Sequence, residues 1–398
     1  MPDPIAGVHL RRTDENVAEI DALATLVGGR AGLGAVLDDL DRRGRRGWAP
    51  GLKSRRAFTW DRADRRTTQW WPQGISTSAD ASDTELVHGR RLVVTTWYAK
   101  DLGDGNHGSR LSFVDLATRR YRHVLLVVPR IVDGDVRVEP LEIHAGGLAW
   151  HGPWLHVAAT AAGLFVFHVD DIVRVPEQAP ESVRVEPLES HAGGLAWHGP
   201  WLHVAATATG LFVFHVDDIV RVPEQAPESV RVAGEEYRYL LPVRFAYEAR
   251  TDDGHERLRY SFVSLDRASS PPQLLAGEYG RGRQTRRLAH FALDPDSRFV
   301  APGGDGACRP QQLHDEGIGQ AQGVVQVDGR YYVTTSHGPW KPGSVHVGVP
   351  GAWRSHRWAV PMGPEDLAYW PSRDELWSLS EHPRRRWVFS VRRSRLTP

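Results

Sequence analysis

From about residue 56 onward, apolar residues come in short runs that alternate with polar ones: RLVVTTWY (91–98), RLSFVDL (110–116), RYYVTTSH (330–337), ELWSLSEH (375–382) and RWVFSVR (386–392). Gly, Pro, Asp and Asn punctuate them, and runs of this length with a period near two predict β-strands joined by tight turns. The first fifty residues follow another period. Val17, Ile20, Leu23, Leu26 and Val27, then Val36, Leu37 and Leu40, recur every three or four positions and are divided by GGRAG (28–32). That spacing predicts a pair of helices in an N-terminal extension, residues 1–55, lying against an all-β domain over 56–398.

The strand pattern contains a tandem repeat. Residues 136–182 and 183–229 are identical except at Ile143 against Ser190 and Ala162 against Thr209, which leaves 45 of 47 positions the same. A period of 47 lies close to the roughly 40–50 residues of a four-stranded propeller blade. Diverged segments keep the same cadence. Inner-strand runs read QGISTSA (73–79), GGLAWHG (146–152), QGVVQVDG (322–329) and EDLAYWP (365–371), and a second and a third strand follow each. With a looser pair at 258–266 and 273–280, the pattern predicts a β-propeller of six blades, five plus one created by the duplication. The last blade ends after its third strand, so an outer strand must come from elsewhere to cover its open edge. RAFTWD (56–61) is the expected closing strand. The first copy is expected to build a short fourth strand from Val183, Arg184 and Val185, because the stretch YRYLLP (237–242) follows only the second.

Composition narrows the functions. Lys plus Arg and Asp plus Glu number 49 each, so no net charge draws in nucleic acid or an anionic membrane. The arginine runs at 42–43, 45–46 and 384–386 read as solvated surface. The single cysteine, Cys308, allows no intrachain disulfide, and no G-x-S-x-G, H-E-x-x-H or P-loop pattern is present. A monomer is expected.

Several longer stretches, TTQWWPQGISTSAD, RYRHVLLV, HAGGLAW, YRYLLPVRFAYEA, GEYGRG and GPEDLAYWPS, resemble a group of actinobacterial, Streptomyces-like proteins of unassigned function, often exported and read as β-propellers. The resemblance implies that fold and an extracellular setting, and no activity. The opening residues MPDPIAGVHLRRTDEN hold no apolar stretch of the kind an export signal needs, so a cytoplasmic protein is the alternative expectation.

Candidate chemistry lies where inner strands would converge. Aligning the strands places Gln73, His144, His191, Gln322, Glu365 and Asp366 at inner-strand starts. Trp97, Glu278, Glu381, His337 and His382 fall in adjoining columns. The polar residues Gln73, Trp97, His144, His191, Gln322, His337 and His382 are expected to bind a ligand or close a channel. Glu278, Glu365 and Glu381 are the candidate ligands of a divalent cation such as Ca²⁺, which favours six to eight oxygens. Two function classes follow: a non-catalytic propeller binding a protein or glycan, and a metal-dependent lactonase or hydrolase with His337 or His382 carrying protons.

Overall fold

A computed structural model describes residue 5 and residues 7–100, 102, 107–141, 145, 147–159, 163–169, 171–173, 192–206, 210–221, 231–232 and 235–397. Beyond residue 54 the regular structure is strand apart from short helical turns, and the strands gather mainly into five largely antiparallel sheets. The first sheet runs through Trp70–Thr77, Leu92–Ala99, Ser109–Asp115 and Arg120–Val132 in chain order. The third comprises Phe262–Asp266, Gln273–Gly277, Leu288–Ala292 and Gln312–His314, and the fourth Ala321–Val327, Arg330–Thr335, Gly343–Val349 and Ala352–Val360. Local chemistry sets these registers. Asp328 and Gly329 join two strands of the fourth sheet with both residues at positive φ, the geometry a two-residue hairpin turn requires and that Asp-Gly supplies at low cost.

The fifth sheet contains Pro364–Trp370, Glu375–Ser380 and Val388–Arg392, and its outer strand is Ser54–Thr59. Phe58 pairs with Val388 and Ala57 with Phe389, so the N-terminal side of the chain covers the edge that the C-terminal side leaves open. This strand is the one expected from RAFTWD, beginning two residues earlier. The innermost strands touch in a cycle: Trp70–Thr77 meets Ala192–Trp197, which meets Phe262–Asp266, then Ala321–Val327, then Pro364–Trp370, which returns to Trp70–Thr77.

The second sheet decides the fate of the repeat. Both copies are directed to the same edge of Phe245–Thr251: Leu164 and Leu211 both register with Tyr247, and Phe165 and Phe212 with Ala246. The other edge of that strand is taken by Val8–Arg12. Trp150 and Trp197, Trp154 and Trp201, Phe167 and Phe214, and His168 and His215 fall on common ring positions. One strand edge pairs with one neighbour and two rings cannot fill one volume. Both copies are thus directed to one place, which holds only one of them at a time. The expected short strand at 183–185 lies outside the described residues.

The helices Val17–Val27 and Gly32–Asp38 form as their spacing predicts, with Ile20, Leu23, Ala24 and Val27 buried and Gly28 ending the first in the left-handed region. The extension is more than helical. Val8–Arg12 completes the second sheet and Arg45–Arg46 pairs with Phe58 and Thr59. Among the described residues no helix is long and apolar enough to cross a membrane.

Candidate functional site

Three of the innermost strands break register at the same place. Shifts fall between Pro72 and Ile75, between Ala321 and Gly323, and between Pro364 and Leu367. Each frees the residues that sequence alignment places at the axis, Gln73, Gln322 and the pair Glu365-Asp366, from regular pairing; bulges of this kind re-aim side chains. Close approach is part of the design. A Cβ on Gly323 would lie 2.5 Å from the Cα of Asp366, so a larger residue there would push neighbouring strands apart.

The freed side chains join in one network. Gln73 donates through Nε2 to Glu381 at 3.1 Å, and Gln322 through Nε2 to Glu365 at 2.9 Å. The Glu365 and Glu381 carboxyls are hydrogen-bonded to each other. Burial, with Glu381 and Asp366 beside it, holds Glu365 well above the usual carboxyl range. Burial likewise pushes Glu381 up to about 7, against the opposing pull of Gln73 and Arg386. Near neutral pH the pair therefore keeps at least one proton, carried between two oxygens. Asp366 is also raised by burial and accepts from the backbone nitrogen of Ile75.

Above this floor opens a cleft of about 570 Å³. Glu381, His382, Gln322 and His337 line it, with Tyr279 and Trp358 as aromatic walls and Arg281, Lys341 and Arg357 supplying cations. His337 is hydrogen-bonded through Nε2 to Ser344 Oγ at 2.8 Å, and burial, then Arg357 and Lys341, lower its pKa. Burial, followed by Arg385 and Arg386, lowers His382 to about 4. Both imidazoles are thus neutral at physiological pH and offer one donor and one acceptor each.

Not every expected residue arrives. Glu278 is engaged by the Arg287 guanidinium at 2.9 Å and by the backbone nitrogens of Arg259 and Arg287. Among the described residues, the groups of carboxylate and imidazole atoms that lie close enough to share one ion include none of Glu278, Glu365 and Glu381. Trp97 is fully buried between sheets, donating to Thr95 Oγ1 and packing edge-on against Trp60 with centroids 4.9 Å apart. It is core. His144 and His191 lie outside the described residues.

Two features escaped the sequence reading. Arg386, read as solvated, is fully buried, donating to the backbone oxygens of Glu381 and Asp64 at 2.6 Å each. It shares strand parity with buried Val388 and Ser390, a signal that the charge run hides. The second is a buried ionic cluster: Asp64 bonds Arg110 at 2.9 Å, Arg42 at 3.2 Å and His123 at 3.0 Å. Burial opposes ionisation of Asp64, but His123, Arg110 and Arg42 hold it well below the usual range. Ser112 Oγ lies 2.8 Å from His123 Nδ1, which completes a Ser–His–Asp chain. Ser112 is fully buried and Asp64 is committed to Arg110, so no substrate carbonyl reaches this serine.

No protein-family model matches the chain, and no characterised protein matches it at a significant level.

Proposed function

We propose that the five sheets are the blades of a five-bladed propeller and that the protein is a non-catalytic binding module whose axial cleft takes a glycan. The observation carrying this reading is the cleft itself: about 570 Å³, lined by neutral imidazoles, an amide and a carboxyl together with the aromatic side chains Tyr279 and Trp358. Sugar hydroxyls both donate and accept, and groups of this kind match them while Tyr279 and Trp358 cover the apolar face of a ring. The cyclic contact of innermost strands and the closing strand Ser54–Thr59 support the propeller.

Catalysis by the carboxyl pair finds no support in its geometry. Glycoside hydrolysis needs two carboxyls roughly 5–9.5 Å apart to flank a bond, whereas these two bond each other directly. The test is a screen of immobilised oligosaccharides with the intact chain, followed by titration of any hit. Binding that falls by about tenfold or more in Trp358→Ala and in His337→Ala supports the reading. Retention of no glycan, or equal binding by both variants, overturns it.

A further inference from the structure

A larger cleft, about 750 Å³, lies away from the axis, between the closing strand and the outer turns of the first sheet. Arginines dominate it. Arg46, Arg55 and Arg56 come from the closing segment, Arg90, Arg91 and Arg119 from the first sheet, and Arg373 from the turn ahead of Glu375–Ser380. Asp115 is the one carboxylate in the lining, and its oxygens already accept from the Ala117 nitrogen and Thr118 Oγ1. Arg55 and Arg56 share buried Glu375, and Arg90 bonds Asp38 at 2.8 Å. Arg46, Arg91, Arg119 and Arg373 have no ion-pair partner among the described residues, and the buried Nε of Arg119 has no hydrogen-bond partner there either.

The concentration is not incidental to a basic chain, since the protein as a whole carries no net charge. Burial, and then Arg56 and Arg91, lower the pKa of Arg373 against the opposing pull of Glu375 and Glu85, so the neighbouring guanidinium groups still outweigh the carboxylates around it. Side chains held together against mutual repulsion are prepared for an anion, and guanidinium groups meet oxyanions two bonds at a time. Beneath them the wall is apolar, with buried Phe58 and Trp377, and Trp48 stands 78% exposed at the side.

We propose that this cleft binds a small organic phosphate, with the phosphoryl group held by Arg56, Arg91 and Arg373 and its aromatic or apolar body against Trp48 and Phe58. The volume falls within the range of small-molecule sites. The site shares no residue with the axial cleft, so the two proposals stand or fall separately.

The test titrates the intact protein with inorganic phosphate, adenosine monophosphate and glucose 6-phosphate at low ionic strength, with chloride matched. Wild-type protein should bind at least one of the two organic phosphates more tightly than inorganic phosphate. Arg91→Ala and Arg373→Ala should each weaken it by about tenfold or more, with Arg91→Lys intermediate because a lysine keeps charge but loses the two-bond fork. A preference for the nucleotide over the sugar phosphate would assign the body to Trp48 and be lost in Trp48→Ala. Equal affinity for all three ligands, no binding at millimolar concentration, or full binding by both alanine variants that remain folded by circular dichroism would overturn the proposal. Arg250→Ala, outside the cleft, should bind as the wild type does.

Discussion

Replacing Glu381 by Gln should stabilise the protein above neutral pH and do little near pH 5. In the folded chain this carboxyl titrates at about 7, against an ordinary value of 4.5. A raised native pKa means that the folded state holds a proton which the unfolded state releases. Its contribution to stability is therefore fully present below about pH 4.5 and is lost as pH rises through 7. The full shift corresponds to about 3 kcal/mol, and because the side chain keeps 17% of its exposure we expect about 1–2 kcal/mol to survive solvation. The glutamine amide of the variant would accept from Gln73 and from protonated Glu365 with no charge to desolvate. Urea unfolding of both proteins at pH 5 and pH 8 measures the effect. A stability difference that is the same at both pH values would refute the proposed proton trap at the axis.

Two further outcomes follow from the packing. Asp64→Ala should destabilise by about 3–5 kcal/mol in chemical unfolding, since Arg110, wholly buried, would keep only Glu235 as a charged partner; the double variant Asp64→Leu with Arg110→Met should recover much of that loss. Deleting 183–229 should leave stability unchanged or raise it by about 1 kcal/mol, because the chain outside the second sheet shortens by some two halvings at about 0.6 kcal/mol each. A deletion variant that fails to fold would mean the second copy has a place of its own.

Much of the architecture is legible in residue pattern because turns and alternation are local. Asp-Gly at 328–329 marks a hairpin whatever surrounds it, and Ser54–Thr59 could be matched to an open edge by elimination. The fate of the repeat is not local. Each copy reads as a complete set of strands, and only the partner that both register with, the one strand Phe245–Thr251, brings them into competition. The axial site divides in the same way. Gln73, Gln322, Glu365 and Glu381 are found by aligning strands, since position along a strand determines nearness to the axis. Glu278 occupies a matching position yet is neutralised by Arg287, nine residues on, and strand alignment carries no information about such a partner. Arg386 and Arg110 are buried charges, which composition assigns to the surface.

Five sheets can close around the axial site only if one copy of the repeat stands outside them. Residues 148–159 and 195–206 share the sequence LAWHGPWLHVAA, so a protease that releases both yields peptides of one mass. Hydrogen–deuterium exchange of the native protein, read by mass spectrometry on that peptide at short labelling times, separates docked from undocked copies. One docking place predicts two envelopes of equal weight, one protected and one fully exchanged. A single protected envelope would show both copies folded into sheets at once and would contradict the proposed five-bladed ring.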